Sequence, residues 1–401
     1  MVAIRRSSSS NAFRDTVQSL LKQADIEING DRPWDIQVHD ERFFGRLLAD
    51  GSMAAGEAYM DGWWDCEQLD EFFAKLLRCK LEDAFKHWTI VQIIQAKLLN
   101  FQSVYRAFTV GKRHYDLGND LYIAMLDDHL VYSCGYWKEA ETLESAQLAK
   151  LDLIARKLDL QPGMRIMDIG CGWGTTAQYL AQTYGVSVIG ITVSEEQANY
   201  ARTICEGLPV DIRLQDYREI GQEMGKGREE KCDRILSVGM FEHVGYKNYR
   251  TFFECVKRCL KDDGRFLLHT IGTNILTVRT DPWIERYIFP NSMVPCEQYV
   301  ASAFNGLMVL EDWHNFGPDY DKTLMAWHHN FHQAWPSLKG NYGDRLAPSK
   351  GDKINDDAER FYRMWTYYLL SCAGSFRARK NHVWQLLLTP RGIPGGYNTV
   401  R

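Results

Sequence analysis

Between residues 145 and 270 the apolar positions switch repeatedly between a helical period and short unbroken runs. Leu148, Leu151, Ile154, Ala155 and Leu158 share one helical stripe, and Pro162-Gly163 ends it. Arg165 to Ile169 is then a short apolar run suited to a strand buried on both faces of a parallel sheet. Thr175 to Tyr184 returns to helical spacing and stops at Gly185, in the position after a helix end where left-handed backbone is common. Val186 to Ile191 predicts a second strand. Ser194-Glu-Glu-Gln197 has the spacing of a capping box that opens the next helix, which Gly207 is expected to close. Val210 to Leu214, Arg234 to Val238 and Arg265 to His269 predict three further strands, with a helix near Tyr249 to Leu260 before the last. This alternation predicts an α/β fold, a doubly wound and mostly parallel sheet.

Residues 1 to about 98 read differently, as a small mixed unit. Turn signals stand at Asn29-Gly30-Asp31 and Asp61-Gly62, and a helical run covers Leu69 to Leu77. Trp88 to Phe108 is helix-like, with Ile90, Ile93, Ile94, Leu98 and Phe101 on one stripe. It is either a connecting helix or a surface that touches lipid, and the first fits more amphipathic helices. The expected division is an N-terminal domain over 1–98 and a second domain over 99–401.

Composition narrows the function. With 401 residues, 45% hydrophobic and 25% charged, the chain has room for well-formed cores and is neither collagen-like nor intrinsically disordered. The net charge of -5 argues against a nucleic-acid partner. Ten cysteines are scattered from Cys66 to Cys372 without a C-x-x-C pair, so neither a metal site nor a redox dithiol is expected, and free thiols imply a reducing compartment. The start, MVAIRRSSSSN, lacks the apolar core of a signal peptide, and no stretch approaches the ~20 apolar residues of a membrane span. A cytoplasmic location with peripheral membrane contact is the expectation. The 12 Trp, 20 Tyr and 18 Phe are dense between Trp283 and Trp384; they form either an ordinary core or a pocket for a long apolar or cationic species.

Candidate chemistry begins at DIGCGWG, Asp168 to Gly174, where a strand feeds a helix. Gly170, Gly172 and Gly174 permit a tight turn close to a ligand. A dinucleotide site would need G-x-G-x-x-G and an acidic residue about 20 positions on. Here the glycines alternate, and the corresponding second turn offers the hydroxyls of Thr192 and Ser194. Strand-end acid, alternating glycines and hydroxyl-bearing second turn resemble the class I S-adenosylmethionine-dependent methyltransferases. Gln197 is either a partner in the capping box, a cofactor contact, or both. Glu242 and His243 follow the fourth of these strands and His269, Thr270 and Ile271 end the fifth, at the edge where doubly wound sheets bind ligands. HYDLGND at His114 to Asp120, Cys134 and Tyr320 are candidates to join them.

The segments VGKRHYDLGND, YSCGYW, DIGCGWG, VGMFEHVG, LLHTIG, DPWIERYIFPN, EDWHNFGPDYDKTLMAW and CAGSFRAR, in this order, together with GEAYMDGWW, resemble the bacterial cyclopropane-fatty-acyl-phospholipid synthases through nearly the whole chain. The resemblance implies transfer of a methylene from S-adenosylmethionine to a cis double bond in a membrane phospholipid acyl chain, with bound bicarbonate as base. It implies bicarbonate ligands at Cys134, Glu242, His269, the Ile271 backbone and Tyr320. Cofactor contacts are implied at Tyr115, Gly170, Gly172, Thr192, Gln197 and Asp216, beside Asp168, Gly174 and Ser194 of the two turns. A homodimer on the inner face of the cell membrane is implied as well. Two charged stretches, Gly340 to Arg360 and Gly225 to Lys231, look longer than their counterparts and are expected to be surface insertions.

Overall fold

The computed structural model describes residues 2–81, 119–225, 230–277, 279–342 and 357–401. The helix-like stretch from Trp88 to Phe108, Tyr115 with the HYDLGN segment before it reaches Asn119, and the larger part of both charged stretches (226–229 and 343–356) lie outside these residues.

The chain forms two compact units. The first comprises the described parts of Met1–Gln95 together with Asp281–Pro290 and Asp321–Asn381. It holds the helices Val2–Leu21, Arg42–Met60, Leu69–Arg78, Pro282–Tyr287 and Asp357–Arg377, and two short antiparallel strands, β1 (Gln37–Val38) and β2 (Trp64–Asp65). Its core is aromatic. Trp64 and Trp283 are fully buried, the ring of Tyr367 lies 4.6 Å from Trp283, and Trp327 and Trp365 are equally enclosed. Guanidinium groups tie distant stretches of the sequence at its edge: Arg363 to Asp65 at 2.6 Å, Arg360 to Asp61 at 2.9 Å, and Arg377 to Asp70 at 2.6 Å and Asp321 at 2.9 Å. Much of the aromatic density from Trp283 onward therefore serves packing here.

The second unit comprises the described parts of Ala96–Thr280, with Asn291–Tyr320 and His382–Arg401. Its sheet has seven strands: β3 (Arg165–Ile169), β4 (Ser187–Thr192), β5 (Val210–Leu214), β6 (Cys232–Val238), β7 (Leu260–Thr273), β8 (Val309–Asn315) and β9 (Asn381–Thr389). Their order is β5-β4-β3-β6-β7-β9-β8. The first five are parallel in register, and β8 pairs antiparallel with β9. Strand alternation divides the core between two faces. Ile166, Leu236, Leu267 and Leu387 point to the helices Leu143–Leu158 and Thr175–Tyr184, and Met167, Ile235, Phe266 and Leu268 point to the helix Tyr249–Cys259. Each such buried apolar side chain contributes roughly 1.5–3 kcal/mol.

The five expected strands and the helices between them are present, with two local differences. The helix Glu195–Ile204 ends at Cys205, and Gly207 (φ 80°) turns the chain two residues later. β7 begins at Leu260, immediately after its helix. β8 and β9 were not anticipated; NHVWQLLLT is an apolar run whose strand character was hidden by its place in an aromatic-rich region. Among the described residues no helix is long and apolar enough to cross a membrane.

Candidate active site

β4 lies on one side of β3 and β6 on the other, so the chain reverses its direction of travel across the sheet between β3 and β6. A crevice opens there, beyond the carboxyl ends of the strands. It is lined by the turn after β3, the turn after β4, Gln215 to Arg218 after β5, Val238 to Met240 after β6, and Leu130 to Ser133.

The glycine turn folds back on β4: the N–H groups of Gly170 and Cys171 both donate to the Ile191 carbonyl at 2.9 Å. Gly172 (φ 55°) has open space where a side chain would begin, so its backbone is the part free to meet a ligand. Gly174 (φ 86°) is different. A Cβ there would lie 2.6 Å from that of Ala201, which makes it a packing glycine between helices, and it does not line the crevice.

Beyond β4, the Ser194 hydroxyl accepts from the Gln197 N–H at 3.3 Å, one half of the expected capping box. The Gln197 side chain turns instead to Thr192, whose hydroxyl donates to Oε1 at 3.0 Å, while the Ser194 N–H donates to the Thr192 hydroxyl at 3.2 Å. Thr192, Ser194 and Gln197 thus form a closed set on the crevice wall. Asp216 lines it as well, held by Arg218 through two bonds of 2.7 Å.

Asp168 is buried at the end of β3, and burial pushes its carboxyl up to about 7 against the opposing pull of Lys150. Lys150 is fully buried, is drawn down to about 8 by its own desolvation, and donates to the Ser133 hydroxyl at 3.0 Å. Lys150 escaped the sequence reading. Gln147, Lys150 and Lys157 recur at helical spacing around Ile154, a polar stripe that reads as a solvent face yet is wholly buried.

Glu242 follows β6 in a single turn of 3-10 helix. Its Oε1 accepts from the Ile271 N–H on β7 at 2.7 Å, and its buried Oε2 has no hydrogen-bond partner among the described residues. Burial raises this carboxyl above the ordinary range, and the Ile271 N–H, its own backbone N–H and the Thr270 hydroxyl beside it oppose the rise. His269, two residues before Ile271, is buried, and its carbonyl accepts from the Gly239 N–H at 3.0 Å. Desolvation holds its ring neutral at ordinary pH.

Cys134 and Tyr320 are buried on two other segments. Those segments are fastened together, since the Trp137 N–H donates to Asp319 at 2.8 Å and Tyr136 packs edge-on against Phe316. Phe316 in turn packs edge-on against His269, with centroids 5.6 Å apart. Of the five expected groups, Glu242 meets the Ile271 backbone directly, and the segments carrying Cys134 and Tyr320 reach His269 through Tyr136 and Phe316.

Residues 102–386 match the family described as mycolic acid cyclopropane synthetase. The chain is 51% identical over 384 residues to the cyclopropane-fatty-acyl-phospholipid synthase of Escherichia coli K12, covering 95% of this chain and 94% of that protein. Its structure resembles that of the cyclopropane synthase MmaA2 from Mycobacterium tuberculosis, at 30% identity and a TM-score of 0.60, over 70% of this chain and 97% of the other. It resembles equally the mycolic acid cyclopropane synthase CmaA1 complexed with SAH and CTAB, at 30% identity and a TM-score of 0.59, with the same coverage. The chain belongs to this family of cyclopropane synthases, S-adenosylmethionine-dependent methyltransferases built on the class I fold.

Proposed function

We propose that the chain adds a methylene from S-adenosylmethionine across the cis double bond of unsaturated acyl chains in membrane phospholipids, with bicarbonate beside Glu242 as the base. The observation that carries the reading is the buried Oε2 of Glu242, without a hydrogen-bond partner among the described residues, two positions after Met240 and one before His243 of the crevice wall. A carboxylate oxygen left without a partner in a dry site is costly unless a ligand meets it.

The crevice suits the nucleoside donor. Gly172 leaves room for close approach, and Asp168, Gly170, Thr192, Ser194, Gln197 and Asp216 line the wall that would hold it. When bound, S-adenosylmethionine supplies an electrophilic sulfonium methyl group. Leu130, Val131, Ile169, Ile191, Val238 and Val244 keep water from the electron-poor carbon that forms in the acyl chain. Tyr132, Trp173 and Tyr217 lie on the same wall, and aromatic rings stabilise positive charge without attacking it.

Bicarbonate, when held there, supplies the base that takes a proton from the added carbon. With Oε1 already accepting from Ile271, a protonated Oε2 of Glu242 can donate to an acceptor-rich anion. The raised carboxyl favours that protonated form. Cys134, His269, the Ile271 backbone and Tyr320 complete the proposed anion site.

Similarity to the Escherichia coli protein runs over 95% of the chain and so includes residues ahead of the family match, which begins at 102; this supports a phospholipid substrate over a mycolic acid. We assign lipid binding to residues 1–98, on a chain that meets the inner face of the membrane peripherally and acts as a homodimer, whose paired surfaces would raise avidity. Incubation with methyl-labelled S-adenosylmethionine and unsaturated phospholipid vesicles should give lipid heavier by one CH₂, with turnover falling when bicarbonate is depleted and returning when it is restored. Vesicles recovered without label refute the substrate, and turnover indifferent to bicarbonate refutes the base.

A further inference from the structure

His269 has a neighbour that the proposed chemistry does not use. On β9, Trp384, Leu386 and Leu388 belong to one core face, and Leu387 belongs to the other. Alternation along the strand therefore sets Gln385 on the face of Leu387. His269 follows Leu267 by two residues on β7 and shares that face. Gln385 is 0% exposed, with its side-chain nitrogen 3.4 Å from His269 Nδ1 and its Oε1 without a partner among the described residues. A leucine or valine would fill this place in an apolar strand without burying an unmatched oxygen.

The orientation of the amide decides what the imidazole can do. An NH₂ group set against Nδ1 requires Nδ1 to accept, which leaves the single ring proton on Nε2. The titratable groups acting on the ring are Lys150 and Lys157 of the helix Leu143–Leu158 and His314 of β8, and each opposes a second proton. Lys150 is anchored on Ser133, and Lys157 lies 3.1 Å from Asp312 and 3.2 Å from His314 Nδ1. Phe316 covers the ring edge-on. The surroundings thus exclude the doubly protonated ring and leave the choice of tautomer to Gln385.

We propose that Gln385 is a positioning residue that fixes His269 in the neutral tautomer protonated on Nε2, so that the ring presents a hydrogen-bond donor to the anion site beside Glu242. The role rests on the anion site described above, but the tautomer can be read without it. A ring with the proton on Nδ1 would turn an acceptor lone pair toward an anion and repel it.

The test uses the full chain with ¹⁵N- and ¹³C-labelled histidine, with His269 assigned by the loss of its signals in His269→Asn. In the wild type, the nitrogen shifts should report the Nε2–H tautomer, unchanged from pH 6 to 8. Gln385→Glu keeps the shape and replaces the donor by an acceptor, so the proton should move to Nδ1 and the ring should begin to titrate at higher pH. Its kcat should fall at least tenfold while the KM for S-adenosylmethionine stays within twofold. Gln385→Leu, which offers neither donor nor acceptor, should give a mixture of the two tautomers and covers the case in which the glutamate variant fails to fold. Finding Nδ1–H in the wild type, or an unaltered Nε2–H signal in either variant, overturns the assignment. If the tautomer shifts as stated while Glu242→Gln turns over normally, the anion-site reading falls and the role of Gln385 in the ring's protonation stands.

Discussion

The two polar regions of the second unit are built on opposite terms. Around the glycine turn, the polar side chains satisfy one another: Thr192 with Gln197, Ser194 with the Gln197 backbone, Asp216 with Arg218. Around Glu242 and His269, polar atoms are buried and some have no partner among the described residues, at Glu242 Oε2 and Gln385 Oε1. A wall that is already satisfied can bind and release a large cofactor with little rearrangement. A buried pair with unused hydrogen-bonding capacity suits a small charged guest, because hydrogen bonds are stronger in a low-dielectric interior and an unmet polar atom there is costly. The difference separates binding from chemistry, and it can be tested by mutation.

The largest effect is expected on the chemical side. Glu242→Gln should lower turnover by about 10²-fold or more, the range of a lost acid–base group, while cofactor affinity by calorimetry changes less than about threefold. Comparable losses in both would erase the distinction between the two regions.

Asp168 stands between them and gives a pH signature. Its carboxyl is raised in the folded chain to about 7, against an ordinary value near 3.9. The folded state therefore binds the proton more tightly, and stability is lost as pH rises from about 4 through 7. Asp168→Asn lacks that cost, so its denaturant midpoint relative to wild type should rise between pH 5 and 8, by the equivalent of about 2–4 kcal/mol. Parallel curves would show that Lys150 fully compensates the buried charge.

Within the turn, two glycines should part company. Gly174→Ala forces a Cβ against Ala201 and should cost about 1–3 kcal/mol of stability by chemical denaturation. Gly172→Ala meets nothing and should cost about 1 kcal/mol for its backbone alone, yet it should weaken cofactor binding. Equal stability losses would remove the assignment of one glycine to packing and the other to ligand approach. The smallest effect is expected at Ser194→Ala, which removes the cap of the helix Glu195–Ile204 and should cost about 1 kcal/mol in thermal unfolding.

The glycine turn was legible because its parts are close in sequence. A strand, a turn and a helix within 20 residues are specified by local periodicity and by glycines at fixed offsets, as Arg165–Ile169 and Thr175–Tyr184 show. Ser194 was equally plain, whereas the direction taken by the Gln197 side chain was not, since a hydroxyl at Thr192 competes with the helix N-terminus for it. Lys150, Lys157 and Gln385 were hidden for a stronger reason. A lysine every seven residues on a helix, or a glutamine in a strand, normally faces water, and only the layers packed on both sides turn these positions inward.

The sequence by itself determined the parallel sheet, the turn that faces the cofactor crevice and the family, because hydrophobic period, glycine spacing and motif order are properties of neighbouring residues. The tertiary structure decided which distant residues share an environment. It joined Asp281–Pro290 and Asp321–Asn381 to the N-terminal unit, set the Glu242 carboxylate on the Ile271 backbone, and placed Gln385 against His269. Burial, ion pairing and strand pairing fix these relations across 116 positions of chain between Gln385 and His269 and as many as 306 between Arg377 and Glu71, spans over which local propensity carries no information.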